Sequence, residues 1–78
     1  MKIEILGVGC PRCKALYKNV EQAVKELNID TDIIEVTDID KIGAYNVIMT
    51  PGLAINGKLL SCGKLLMPQE IKKLIKGS

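Results

Sequence analysis

Hydrophobic and polar positions divide the first half of the chain into two short runs separated by one long amphipathic stretch. Residues 2–6 alternate polar and apolar side chains before Gly7 and Gly9, which predicts a strand that feeds a glycine-containing turn. Apolar residues then recur at the i, i+3, i+4, i+7 spacing of an amphipathic helix, at Leu16, Tyr17, Val20, Ala23, Val24 and Leu27. Asn28 ends this helix, and residues 31–36 carry the β-branched side chains of a buried strand. The pattern predicts a parallel βαβ unit with a right-handed crossover.

The middle of the chain predicts a short helix and then a hairpin. Asp38 is suited to cap a helix that continues to about Tyr45. Residues 52–55 and 58–62 have strand-like composition, and the Asn56-Gly57 pair between them is a strong signal for a two-residue hairpin turn. Two antiparallel strands are therefore expected here.

The chain closes with a third helical pattern. Pro68 suits the first position of a helix, and apolar residues interspersed with lysines continue to Gly77. The predicted order is β-α-β-α-β-β-α, in which the βαβ unit and the hairpin share one sheet. The sequence thus predicts an α/β fold with one mixed four-stranded sheet, helices on both faces, and a single domain over residues 1–78.

Composition and charge exclude several classes of function. The 78 residues are 47% hydrophobic and 26% charged, with two Tyr and no Phe or Trp, so stacking platforms for single-stranded nucleic acid are missing. The net charge is only +2, and the lysines form no stripe that could follow a phosphate backbone. No apolar run has the length of a signal peptide or a membrane span. We expect a cytoplasmic monomer that has neither nucleic-acid nor membrane partners.

Two of the three cysteines lie at the predicted junction between the first strand and the first helix. In a reducing compartment such thiols indicate catalysis or metal binding rather than a structural disulfide framework. Cys10 lies at the expected N-cap, with Pro11 at the first helical position, so its thiolate would face the positive end of the helix dipole and its pKa would fall. The charges of Arg12 and Lys14 act in the same direction, but both side chains are expected to be solvated and screened by salt, so the position at the helix start should matter more. Cys13 is close enough to attack a mixed disulfide formed at Cys10, so Cys10 is predicted as nucleophile and Cys13 as resolving thiol.

Metal binding is the competing interpretation of this Cys-x-x-Cys pair. A closed zinc site needs four ligands, and the chain has no His and only one further Cys, so no zinc site is predicted. Two thiolates also suit Cu(I), and heavy-metal-associated copper chaperone domains begin with a strand followed by the same motif. In those domains the secondary-structure elements follow the order β-α-β-β-α-β, and the last element is a strand. The first 27 residues leave both alternatives open.

The second half of the chain resembles a known redox family. Pro51 alone is compatible with a simple strand-start proline. Taken with the cysteine pair and the Asn-Gly turn, however, residues 45–57 resemble the region around the cis-proline of thioredoxins and glutaredoxins. The whole chain is similar to the small thioredoxin-like redox-active disulfide proteins of archaea and bacteria, which have a minimal thioredoxin-like fold.

This resemblance implies a thiol-disulfide oxidoreductase without a cofactor, in which Cys10 and Cys13 are the redox pair. It also implies a cis Thr50-Pro51 bond that faces the pair, with the Thr50 backbone binding an extended substrate segment. Protein disulfides and an upstream reductase would be the partners.

Three features of the sequence differ from thioredoxins or fall outside the predicted chemistry. Pro11 and Arg12 replace the Gly-Pro that thioredoxins carry between the cysteines. Glu4 is the only acid in the first strand, where thioredoxins have a buried Asp. Cys62 lies in a predicted strand, where a cysteine is more often a small buried hydrophobic residue than a reactive thiol, so a structural role is expected, while nothing in the sequence sets its exposure.

Overall fold

The computed structural model describes residues 1–9, 11–47 and 49–77, and Cys10, Ile48 and Ser78 lie outside the described residues. The elements of the described chain are β1 (Lys2–Leu6), α1 (Pro11–Leu27), β2 (Asp32–Val36), α2 (Ile39–Ala44), β3 (Gly52–Ile55), β4 (Lys58–Cys62) and α3 (Pro68–Lys76). The predicted order β-α-β-α-β-β-α is confirmed.

The strands form a mixed four-stranded sheet in the order β2-β1-β3-β4. Strands β1 and β2 are parallel, and the other two pairings are antiparallel. Leu6 at the end of β1 pairs with both Val36 at the end of β2 and Gly52 at the start of β3, and Gly52 also pairs with Cys62. The residues that follow β1 and β4 and those that precede β3 therefore lie at the same end of the sheet.

Helices cover both faces of the sheet because successive strand residues point to opposite sides. Ile3 and Ile5 lie in the larger core cluster with residues from α1 and α3. Its fully buried members include Leu16, Val20 and Ile71, and burying one such side chain stabilises the fold by about 1.5–3 kcal/mol. Both long helices are held on this face by their apolar stripes.

The short helix α2 covers the opposite face. Ile42 packs with Leu6, Val36 and Ala54 in a smaller core cluster. The predicted cap is confirmed, because the Asp38 carboxylate accepts a hydrogen bond of 2.9 Å from the backbone N–H two residues later. Since the helix has only six residues, it covers little of this face beyond the ends of the strands.

Asparagines shape the turns between these elements. Asn28 and Asn46 follow α1 and α2 with φ values of 55° and 60°, in the left-handed region that ends a helix. Asn56 and Gly57 both have positive φ, 53° and 82°, as a type I′ hairpin turn requires. The predicted Asn-Gly turn is thereby confirmed.

Candidate functional site

The candidate site lies where the chain leaves β1 and begins α1. The Gly7 N–H donates a 3.0 Å hydrogen bond to the Val36 carbonyl, which continues the parallel ladder past the end of the strand. Cys13 lies in the first turn of α1 and is buried, with 5% of its surface exposed. The backbone at Gly7 runs so close to this thiol that a methyl group there would overlap the Cys13 Sγ atom. Only glycine fits at this position without a shift of the sulfur.

The same position brings Thr50 to the site. A methyl group at Gly7 would also lie 3.7 Å from the Thr50 Cβ atom, so Cys13 and Thr50 lie against one stretch of backbone although they are distant in sequence. The Thr50-Pro51 peptide bond is cis, as predicted. The Pro51 side chain is fully buried, and Thr50 is half-buried. The structure thus brings together Cys13 and the cis-proline segment that the sequence analysis singled out.

Cys10, the predicted nucleophile, lies outside the described residues, so its assignment stays a prediction. Its neighbours are described. Gly9 has a φ of 86°, a conformation that a residue with a side chain adopts only with strain. Pro11 is the first residue of α1 and is exposed, as is Arg12.

Hydrogen bonds join the start of α1 to the end of β4 and to the cis-proline segment. Arg12 Nη2 donates to the Gly63 carbonyl at 2.8 Å, across 51 positions of sequence. The Gly63 N–H in turn donates to the Pro51 carbonyl at 2.9 Å. Gly63 has a φ of 74°, and a methyl group there would lie 3.1 Å from the Met49 Cβ atom, so glycine is favoured on two counts. We call this chain of contacts the Arg12–Gly63–Pro51 bridge.

Sequence reasoning missed Gly63 as a residue of the site. A glycine directly after a predicted strand indicates a turn, and that signal was present. What the turn contacts depends on the pairing of β4 with β3, which local pattern does not reveal.

Exposed apolar side chains border the site. Val8 lies between Gly7 and the first cysteine and is 61% exposed. Met49 directly precedes the cis-proline step and is 59% exposed. Single exposed apolar residues are ordinary on protein surfaces, but Val8 is adjacent in sequence to Gly7 and Met49 to Thr50, so both lie beside the candidate site. They offer apolar contact to a polypeptide that docks there.

Cys62 is exposed, so it is not the small buried residue that is usual for a cysteine in a strand, and its structural role stays a prediction. It pairs with Gly52 at the end of an edge strand. The packing against α2 in the smaller cluster involves Leu59 of β4 and does not include Cys62. Strand composition predicted the element correctly, but exposure at a strand end depends on what packs beyond it.

Glu4 is the buried acid of β1, with 8% of its surface exposed. Its Oε1 atom accepts a 2.7 Å hydrogen bond from the Tyr45 hydroxyl, and the Lys2 ammonium lies 3.9 Å away. The hydrogen bond to Glu4, with a smaller contribution from burial, raises the pKa of Tyr45 above its usual value. This carboxylate faces α2, whereas Cys13 lies on the helix that covers the other face. The side chains of Glu4 and Lys2 also line an open cleft of about 310 Å³ beside β2.

Among residues 1–9, 11–47 and 49–77, no three side chains of His, Cys, Asp or Glu lie close enough together to hold a metal ion, and this search does not include Cys10. No helix in the same ranges is long and apolar enough to cross a membrane.

Comparison with known proteins identifies relatives over almost the whole chain. The family described as Thioredoxin domain matches residues 1–76. A thioredoxin of Methanocaldococcus jannaschii is 43% identical over 74 residues, which cover 95% of this chain and 85% of that protein. A thioredoxin of Methanothermobacter thermautotrophicus is 41% identical over 75 residues, which cover 96% of this chain and 97% of that protein. The resemblance noted in the sequence is thereby confirmed.

Proposed function

This chain belongs to the thioredoxin family, and we propose that it exchanges electrons with protein disulfides through the dithiol-disulfide couple of Cys10 and Cys13. The observation that carries the proposal is the geometry at Gly7, whose backbone is approached both by the Cys13 sulfur and by Thr50 of the cis-proline step. A disulfide held by the Thr50 segment would lie beside the cysteine pair.

The proposed reaction is thiol-disulfide exchange in two steps. The Cys10 thiolate attacks one sulfur of the substrate disulfide, that S–S bond breaks, and the departing substrate thiolate takes up a proton. The Cys13 thiolate then attacks the Cys10 sulfur of the mixed disulfide and releases the second substrate thiol. The substrate gains two electrons and the cysteine pair becomes a disulfide. An upstream reductase returns the two electrons and completes the cycle.

The burial of Cys13 supports its assignment to the second step. With 5% of its surface exposed, its sulfur is not open to a disulfide carried by another protein. An attack within the same helical turn needs no such access. The buried cysteine therefore suits the resolving role, and the attacking role falls to Cys10.

The Thr50 backbone is free to bind an extended polypeptide. In the described part of the chain, neither its N–H nor its carbonyl group has a hydrogen-bond partner. An extended substrate segment could pair with these groups as a short added strand. Val8 and Met49 would contact its side chains. Because main-chain pairing carries little sequence information, we expect a broad range of protein disulfides to be accepted.

The observed order of elements disfavours the copper-chaperone alternative. In copper chaperone domains of the β-α-β-β-α-β type the third strand follows the second directly, whereas here helix α2 lies between β2 and β3. The cis-proline segment beside Cys13 has a clear role in disulfide exchange and none in that alternative.

The test is reduction of insulin disulfides with dithiothreitol as the electron source, in the wild-type protein and three cysteine variants. We expect C10S to abolish catalysis, and C13S to accumulate a mixed disulfide through Cys10, because the second step is blocked. C62S is the matched control and should retain wild-type turnover. A wild-type protein that reduces no protein disulfide but binds one Cu(I) per chain would overturn the proposal.

A further inference from the structure

The Arg12–Gly63–Pro51 bridge connects the two segments that disulfide exchange has to hold together. One end is the side chain between the two cysteines, and the other is the carbonyl of the cis-proline. Gly63 forms the middle, with its carbonyl accepting from Arg12 and its N–H donating to Pro51. Both hydrogen bonds have ordinary lengths, 2.8 Å and 2.9 Å, and the first has a charged donor, which makes it stronger than a neutral pair.

We propose that Arg12 is a positioning residue that fixes the substrate-binding edge at Thr50 relative to the cysteine pair. It acts through Gly63 and Pro51 rather than by touching the reacting sulfurs. The inference rests on the proposed function, because it concerns the alignment of a protein disulfide with Cys10. It assigns to Arg12 a role in the discrimination between large and small substrates.

The hydrogen bond, rather than the positive charge, carries this role. Arg12 is exposed, so its charge is screened over about 8 Å at physiological salt. Lys14 supplies an equal exposed charge in the same region of α1, and its side chain has no hydrogen-bond partner among the described residues. A guanidinium also presents a rigid fork that reaches one bond further than a lysine ammonium. A lysine at position 12 would keep the charge and lose the contact with Gly63.

The two classes of disulfide should respond differently when the bridge is lost. A protein disulfide is aligned by pairing of its backbone with Thr50, so movement of that segment misplaces the attacked sulfur. A small disulfide such as hydroxyethyl disulfide has no extended segment and uses only the thiols. Loss of the bridge should therefore slow exchange with proteins and leave exchange with small disulfides nearly unchanged.

The test compares R12M and R12K with the matched control K14M, which removes the same charge from a neighbouring position of α1. For both Arg12 variants we expect kcat/KM for insulin to fall about fivefold, as loss of one exposed charged hydrogen bond would give. The rate with hydroxyethyl disulfide should change by less than about twofold in all three variants. Hydrogen exchange at the Gly63 amide should speed up about fivefold in R12M and stay at the wild-type rate in K14M.

Three results would overturn the inference. R12K that matches wild type with insulin would assign the effect to charge, as would a K14M protein that loses as much activity as R12M. An unchanged Gly63 exchange rate in R12M would show that the bridge does not hold this segment. Failure of the proposed function has a separate signature, because wild-type protein would then reduce neither disulfide while the exchange experiment could still show the bridge.

Discussion

Replacing Gly7 with alanine tests the close approach on which the site is built. The added methyl group would overlap the Cys13 Sγ atom and lie 3.3 Å from the Cys13 Cβ atom. Cys13 is buried in the first turn of α1, so it cannot move aside freely. Forcing extra volume into a packed site costs about 1–3 kcal/mol. At roughly 4–8 °C per kcal/mol for a domain of this size, we expect G7A to lower Tm by about 4–24 °C.

The assay is thermal unfolding followed by circular dichroism in excess dithiothreitol, so that no disulfide contributes. G43A is the matched control, because nothing lies within 4 Å of the added methyl group and the residue is exposed in α2. Alanine is there expected to stabilise the protein by up to about 1 kcal/mol. In a C13A background the overlapping sulfur is gone, and the free-energy cost of G7A should shrink by at least about 1 kcal/mol. A G7A protein with wild-type Tm, or an undiminished cost in C13A, would refute the reasoning.

The remaining predictions concern hydrogen bonds that join a helix, or the residue that ends it, to a distant strand or loop. Y45F removes the hydroxyl that donates to the buried Glu4 carboxylate, and should lower the free energy of unfolding in urea by about 1–2 kcal/mol, against less than about 0.5 kcal/mol for the control Y17F. Because the pKa of Tyr45 is raised, the stabilisation from its protonated hydroxyl is fully present below the unfolded-state pKa of about 10 and is lost as pH rises through the folded-state pKa. The free energy of unfolding of the wild type should therefore fall more steeply above pH 10 than that of Y45F. Parallel plots of this free energy against pH for the two proteins would contradict the prediction. N19A removes the side chain that donates to the Leu66 carbonyl at 2.8 Å, and should cost about 1 kcal/mol in the same urea assay, whereas unchanged stability would show that this tether contributes nothing.

The local sequence pattern was sufficient to predict the strands, helices and turns, because the residues that define each of them lie close together in the sequence. Alternation over residues 2–6 predicted β1 with the bounds that the structure has. Asn56-Gly57 specified its turn because both residues tolerate positive φ. The cis-proline step could be predicted only through the family resemblance, since most bonds that precede proline are trans.

What local pattern could not predict are the contacts between distant segments. The hydrogen bond from Arg12 to Gly63 spans 51 positions, and that from Tyr45 to Glu4 spans 41. Both depend on how strands pair and where helices lie over them. The exposure of Cys62 could not be predicted for the same reason, because it depends on the packing at the end of β4.

The most direct test of the central claim is a redox titration of the wild-type protein in glutathione buffers, with the disulfide formed at each potential mapped by mass spectrometry of its peptides. We predict one two-electron transition, with a tenfold change in the ratio of oxidised to reduced protein for about every 30 mV. The oxidised protein should contain one intramolecular disulfide, between Cys10 and Cys13, and C62S should titrate at the same potential. A disulfide that involves Cys62, or a protein in which Cys10 and Cys13 stay reduced across the whole range, would contradict the account.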